Sequence, residues 1–508
     1  MIANVAPTGL VPDRRYTVDL LARLNGIKSS GMPLHECFMY GSYSLWSMQQ
    51  FYLFTQIEAF SKSKKYASYL AEVTPRYGAL SLVFLGIFDA LLILVSCISA
   101  VGAWFQKPKV LTFSSDFLNA SPFPNPRLRN IHMYLTKHKV PYVELFHITT
   151  TAAFFRNIAK YRRLGIYREA VAVLGRLLSI GSARIMARKL LATLDLRGFC
   201  EEEQQFLRFL ITKTVLRAEE SRRSIPLFRK LFRFLRVTSF FSVDDFRYIP
   251  ELMVACEEAG IPTHVFQHSN FGFLTGLFTL QPHMYAFPTA YYTWNGYWQK
   301  RVEEISPFFA AHKSRIRIGG RSYTPATPIV VSRSVVEGEK NPLIVLMPCE
   351  VTAARHQVQP YVDAMLQNGR IQVLLMLRGS IEQLNSETQI EKYVPNDQHA
   401  NPNLVIMDSS RRDEALKQCD MVAGIYSGFL DETLETGLPV CILKSDFINI
   451  NRLDTDNLAT LIDVEKGDVY NQLLGAYHTS DAVLRERRDR VNAGVVDINE
   501  TLAKILQN

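Results

Sequence analysis

Residues 79–105 read ALSLVFLGIFDALLILVSCISAVGAWF, an uninterrupted apolar run carrying one charge, Asp89. As a helix the run is about 40 Å long, against roughly 30 Å for a bilayer's hydrocarbon core. Its polar groups share a side: at about 100° per residue, Ser81, Asp89, Ser96 and Ser99 fall within about 80° of one another. That stripe is expected to pack on protein or water while the other faces meet lipid. Trp104 and Phe105 occupy an interfacial position, followed by Lys107 and Lys109. Lys62, Lys64, Lys65 and Arg76 make the upstream flank basic as well, so charge gives no orientation. A crossing helix, a re-entrant or monotopic element and a buried helix of a soluble core are the readings open at this stage.

The rest of the chain is that of an ordinary folded enzyme. It has 508 residues, 48% hydrophobic and 21% charged, enough for two or three domains. Mean hydropathy is near zero, as one or two membrane elements on a soluble body would give. Seven scattered cysteines without a CxxC pair argue against a disulfide framework or a zinc site and for a reducing compartment. No secretory signal is expected, because Asp13, Arg14, Arg15 and Asp19 break the first apolar stretches. The formal charge is +9, yet residues 151–237 alone hold 19 Lys/Arg against 7 Asp/Glu, or +12, leaving −3 elsewhere. Such a block suits a polyanion, and the apolar segment favours anionic lipid over nucleic acid.

Beyond residue 106 the pattern becomes α/β. Strands are expected at 109–114, 143–146, 263–267 and 290–293, with a helix at 127–138 and a long helical region at 152–235. Residues 224–241 (SIPLFRKLFRFLRVTSFF) read as a basic amphipathic helix able to lie on anionic headgroups. A boundary is expected at 322–341. A second unit follows with strands at 343–347, 371–377, 404–407, 421–425 and 440–443, and one last helix at 480–506. Strands alternating with helices imply parallel βαβ units and a doubly wound sheet. The domain reading is a 1–78 aromatic helical region, a 79–106 membrane segment, a 107–325 Rossmann-like domain with a basic helical insertion at 151–240, a 340–480 Rossmann-like domain and a 481–508 helix.

The stretch 420–443, DMVAGIYSGFLDETLETGLPVCIL, carries the most chemistry. A strand runs into a small turn at Ser427 and Gly428, whose backbone N–H groups open a helix start suited to a diphosphate. Glu432, one turn into that helix, is placed to accept hydrogen bonds from ribose hydroxyls. An ordinary βαβ crossover has the same outline.

Ser427-x4-Glu432-x4-Gly437-x-Pro439 resembles the C-terminal signature of GT-B glycosyltransferases, nearest to bacterial surface-carbohydrate and capsule enzymes and their CDP-glycerol glycerophosphotransferase relatives. Gly260-Ile261-Pro262 followed by Phe266-Gln267-His268 is similar to that superfamily's GIP…QHG segment. Thr293 to Trp298 is similar to its vWG-y turn, residues 316–320 (IRIGG) to its next strand and glycine, and Asn25-Gly26-Ile27 and Ser44-Leu45-Trp46 to the opening of some members. Departures are Ser269 for the usual Gly, Gly428 for a second small hydroxyl residue, and Arg378-Gly379 for an HP or RP pair. The resemblance implies a GT-B architecture of two Rossmann-like domains, the C-terminal one holding the donor. It implies His268 as general base or acceptor ligand, with Gln267 beside it at the interdomain cleft. Arg378 is expected to meet the leaving diphosphate, Ser427 and Gly428 to cradle phosphate, Glu432 to bind ribose and Glu350 to line the cleft. No metal and no cofactor are expected.

The function expected from these readings is transfer of a sugar, from a nucleotide-sugar, to a lipid-linked or surface-polysaccharide acceptor at the cytoplasmic face of the cell membrane. Its alternatives are a CDP-linked polyol-phosphate transferase and a non-catalytic scaffold of a polysaccharide assembly complex.

Overall fold

In the computed structural model, the residues described are 13–73, 79–113, 126–148, 165–244, 248–268, 285–323, 342–348, 355–377, 396–408, 411–425, 427–445 and 453–507, with Thr151, Phe154, Phe155, Ile158, Phe246 and Val394. The N-terminal region forms α1 (Arg14–Asn25), α2 (Gln50–Ser61) and α3 (Tyr66–Val73), followed by the apolar helix α4 (Ala79–Gln106). Short apolar runs then become strands: β1 (Val110–Phe113), β2 (Tyr142–Phe146) and β3 (Ile166–Tyr167), with α5 (Arg129–Lys137) between the first two. The long helices α6 (Arg168–Thr193) and α7 (Glu201–Leu235) lead back to β4 (Ser239–Val243). There follow α8 (Pro250–Ala259), β5 (Thr263–Phe266), β6 (Ala290–Thr293), α9 (Gly296–Ile305) and β7 (Ile316–Ile318). Gly260 ends α8 in the left-handed region, as its place before Ile261-Pro262 predicts.

These seven strands are all parallel, in the spatial order β7-β6-β5-β4-β1-β2-β3. The second sheet is built from β8 (Leu343–Pro348), α10 (Arg355–Asn368), β9 (Ile371–Leu377), β10 (Leu404–Asp408), α11 (Arg412–Gln418), β11 (Met421–Gly424), α12 (Gly428–Thr433), β12 (Val440–Leu443) and β13 (Thr460–Ile462). It too is parallel, in the order β10-β9-β8-β11-β12-β13. Separate apolar clusters on its two sides show that it is wound on both faces. The expected pair of Rossmann-like domains in a GT-B arrangement is therefore present.

Both sheets are wound alike. Three strands run outward from β1 or β8, and the chain then returns to lay β4 beside β1, or β11 beside β8. Each domain therefore has a switch point, a crevice outside the carboxyl ends of two adjacent strands whose connections leave in opposite directions, where open α/β sheets bind ligands. After α13 (Val469–Tyr477) the expected single final helix is two, α14 (Asp481–Val491) and α15 (Ile498–Gln507). The second of these crosses back to the first domain, where Ile498 and Leu502 pack with Ile131 and Leu135. Gly320 (φ 79°) permits that return: a Cβ there would stand 2.4 Å from the Val496 carbonyl oxygen.

Among the described residues, the expected helical region 152–235 is helical at Phe154, Phe155 and Ile158, then holds the strand β3 and the two long helices α6 and α7. The basic stretch 224–241 is likewise corrected. Its helix stops at Leu235, Arg236 adopts a left-handed conformation (φ 59°), and Ser239–Val243 is a central strand. The apolar side chains of its helical part, Ile225, Phe228, Phe232 and Leu235, are buried in the domain core, so they are not free to enter headgroups.

Helix α4 lies along the first domain. Leu92, Val95, Ala100 and Ala103 are buried, and Ser96 Oγ accepts a 3.1 Å hydrogen bond from the Tyr167 amide of β3. Val83, Phe84, Ile87, Leu94, Ile98, Val101 and Phe105 face outward. Helix α6 adds Leu177, Leu178 and Ile185 to the exposed apolar side chains. Both α4 and α6 are long and apolar enough to cross a membrane.

Candidate active site between the two switch points

In the first domain, β4 runs out into Asp244 and β5 into Gln267 and His268, next to the β1–β4 switch point. Asp244 is buried and saturated. Its Oδ1 accepts from the His268 amide at 3.1 Å and meets His268 Nδ1, while its Oδ2 accepts from the Tyr291 hydroxyl at 3.0 Å. Burial, with Asp244 alongside, pushes the Tyr291 phenol well above its ordinary range, so it stays a donor to that carboxylate. With Nδ1 held by a carboxylate, His268 presents Nε2 as its second nitrogen, and its side chain is 17% exposed. A carboxylate-held imidazole of this kind can take a proton from a hydroxyl and be stabilised as imidazolium.

Gln267 does not face the cleft. It is fully buried; its amide side chain accepts from the Trp294 backbone N–H at 3.1 Å, and its carbonyl accepts from the indole N–H at 2.7 Å. It braces β5 to the turn after β6 and is a positioning residue, because a fully buried amide must bond locally.

In the second domain, β11 leads to Ser427 and Gly428 at the β8–β11 switch point. Ser427 caps α12, its hydroxyl accepting from the Phe429 amide at 3.4 Å. Gly428 is half-buried, and a Cβ placed on it would meet no atom of the described residues within 4 Å, so these leave space before the helix start. Helix α12 is only six residues long and passes into a 3-10 turn. Glu350 and Arg378 lie outside the described residues.

Glu432 was expected to be open to a ribose, but both of its oxygens are occupied. Arg412 of α11 pairs with Oε2 at 2.7 Å, and the Tyr323 hydroxyl donates to Oε1 at 3.1 Å. Tyr323 comes from the end of the first domain, so Glu432 belongs to the seam between the domains. Next to it Glu435 pairs with Arg321, whose guanidinium lies over the Trp294 ring at 4.5 Å. The sequence-predicted residues are thus joined by one run of contacts: His268 follows Gln267, Gln267 holds Trp294, Trp294 carries Arg321, and Arg321 meets Glu435 in the 3-10 turn that follows the helix of Ser427 and Glu432. Arg321 Nη1 is buried without a hydrogen-bond partner among the described residues. Asp244, Arg321, Tyr323 and Arg412 went unread in the sequence. Asp244 follows a strand, β4, that the helical spacing before it conceals.

No family model matches the sequence, and no curated protein does. Among solved structures, the chain is similar to Acinetobacter baumannii MurG, with 12% identity and a TM-score of 0.43 over 79% of this chain and 99% of that one. It is similar to S. aureus MnaA in its UDP co-structure, with 9% identity and a TM-score of 0.45 over 79% and 96%. The calicheamicin glycosyltransferase CalG4 is similar at 9% identity, with a TM-score of 0.44 over 79% and 99%.

Proposed function

We propose that the chain is a membrane-associated glycosyltransferase that moves a sugar from a nucleotide-sugar to a hydroxyl of a lipid-linked or surface-polysaccharide acceptor. One observation carries this reading: a carboxylate-held histidine at the first domain's switch point is linked, through Trp294 and Arg321, to an open helix start at the second domain's switch point. His268 Nε2 takes the proton of the acceptor hydroxyl, and Asp244 stabilises the imidazolium. The acceptor oxygen bonds to the sugar's anomeric carbon as the bond from that carbon to the phosphate oxygen breaks, and the nucleoside diphosphate leaves. Ser427 and Gly428 receive the diphosphate, and Arg378 neutralises it. Glu432 reaches the ribose only by exchanging Tyr323 for it. The outward apolar faces of α4 and α6 support attachment to the cytoplasmic face of the membrane without a crossing, because the inner face of α4 is spent on β3 and α6.

The test is thermal denaturation of the whole chain against a panel of nucleotides and nucleotide-sugars. A ligand at about 100 times its Kd stabilises the native state by about 2.7 kcal/mol. Stabilisation by nucleotide-sugars supports the reading. Stabilisation by CDP-polyols alone replaces it with the glycerophosphotransferase alternative, and no stabilisation by any of them leaves a scaffold.

A further inference from the structure

The elements added to the first Rossmann-like domain line a partly open chamber of about 970 Å³ that none of the site residues above lines. Helices α2, α3, α4, α6 and α7 form its walls, and the turns after β2 and β4, with His147 and Tyr248, its floor. Helices packed only for stability fill their common interior with apolar side chains. This interior is instead rich in charge, and most of that charge is internally paired. Arg168 bonds Glu251 at 2.9 Å, Arg176 bonds Glu220 at 3.0 Å and His147 bonds Glu169 at 2.5 Å.

Two cations of the lining have no carboxylate partner among the described residues: Lys213 and Arg217, one turn apart on α7. The Arg217 guanidinium is held over the Tyr52 ring at 3.9 Å, which fixes it in place. Arg168 adds a buried Nε without a hydrogen-bond partner among the described residues. The opposite wall is formed by Leu85, Phe88, Asp89 and Leu92 of α4, apolar but for the Asp89 carboxyl, which burial raises above its ordinary range and which feels Arg176, and the far side of that same helix carries the exposed Phe84 and Ile87. Of the five carboxylates in the lining, Glu72 is held by Lys62, Glu169 by His147, Glu220 by Arg176 and Glu251 by Arg168, and Asp89 lies on the α4 wall, so the wall of Lys213 and Arg217 is the place where an anion would be matched. A hydrocarbon wall one helix from an outward apolar face calls for a chain of carbons attached to it. The volume lies at the upper end for small-molecule sites and far exceeds a bare phosphate.

We infer that this chamber binds a phosphorylated amphiphile, with the phosphate on Lys213 and Arg217 and the hydrocarbon along Leu85, Phe88 and Leu92. This rests on the proposed reading of a lipid-linked acceptor and gives that acceptor a second foothold. The chamber floor at β2 and His268 at β5 are three strand spacings apart, roughly 14 Å. A saccharide carried by the amphiphile is what would bridge the chamber floor and His268.

Titration calorimetry on the full-length protein tests it with geranyl phosphate, geraniol and inorganic phosphate. Geranyl phosphate is expected to bind about tenfold or more tightly than either of the others, since each supplies only one half of the contact. Lys213→Gln with Arg217→Gln is expected to weaken geranyl phosphate by about tenfold or more, with geraniol unchanged, while Lys213→Arg with Arg217→Lys retains binding. Equal affinity for inorganic phosphate or for geraniol overturns the proposal, and so does a Gln variant that melts like the wild type yet binds geranyl phosphate as well. UDP-sugar binding measured on the same samples separates the two readings. Its absence beside intact geranyl phosphate binding defeats the transferase and spares the chamber, whereas the reverse defeats the chamber alone.

Discussion

The two domains are wound in the same way but equipped differently. Above the carboxyl ends of the first sheet stand Asp244, His268 and Tyr291, a buried acid–base unit with its carboxylate saturated, flanked by five added helices. Above those of the second sheet stands a short helix with a serine cap and an open glycine, and its carboxylates face the seam instead of the crevice. Shared winding therefore sets where a ligand can sit, while the residues just past the strand ends set what each crevice can do. One side can move a proton, and the other can receive an anion.

The sharpest way to break this division is to disable one side and watch the other. His268→Ala is expected to lower kcat by about 10³-fold, within the usual range for a general base, with donor affinity unchanged. Asp244→Asn should cost nearly as much, because it removes the charge that stabilises the imidazolium. Steady-state kinetics beside nucleotide titration reads both, and a loss of donor binding in either variant would erase the distinction between the domains. Arg321→Ala comes next. It leaves Glu435 without its buried partner, at an expected cost of about 3 kcal/mol in a urea melt. A variant as stable as the parent shows that the seam does not hold the two crevices together.

Acid should act on the first domain. His264 on β5 is pushed down to about 4 by burial and by the nearby Arg317, against an ordinary value near 6.5. Between those pH values the unfolded chain holds a proton that the native chain refuses. Stability is therefore complete above about pH 6.5 and falls by roughly 2–3 kcal/mol as pH drops toward 4. Urea melts across that range check it, and His264→Gln should flatten the slope. An unchanged slope places the acid sensitivity elsewhere.

How much of this the sequence revealed differs by element, for physical reasons. LIVLMP and IQVLLML announce central strands because both faces of a parallel sheet are covered, which leaves an unbroken apolar run. β4 was hidden because its apolar residues continue the helical spacing of FRKLFRFL, and the helix ends at Arg236, a left-handed residue with no glycine to mark it. Without that strand, Asp244 could not be read as the residue following it. The two-residue β3 is too short to have a period. His268 and Ser427 were legible because each follows a strand that could be seen. Arg321, Tyr323 and Arg412 were not, since a seam between domains brings together side chains as far as 114 positions apart, and no local spacing encodes that.

The mildest substitution separates site from scaffold most cleanly. Gly428 begins α12, and an added Cβ meets no atom of the described residues within 4 Å, so Gly428→Ala should leave stability within about 0.5 kcal/mol of the parent. The methyl would nevertheless occupy the space before the helix start where the diphosphate is placed. Donor affinity is expected to fall about tenfold, an equivalent of 1.4 kcal/mol, with the melt unchanged. Gly320→Ala is the matched control, since its positive φ and the Val496 carbonyl 2.4 Å away make it costly to the fold whatever binds. Should Gly428→Ala keep full donor affinity, the open space at the second switch point holds no diphosphate, and the division of labour between the two domains loses its anion-binding half.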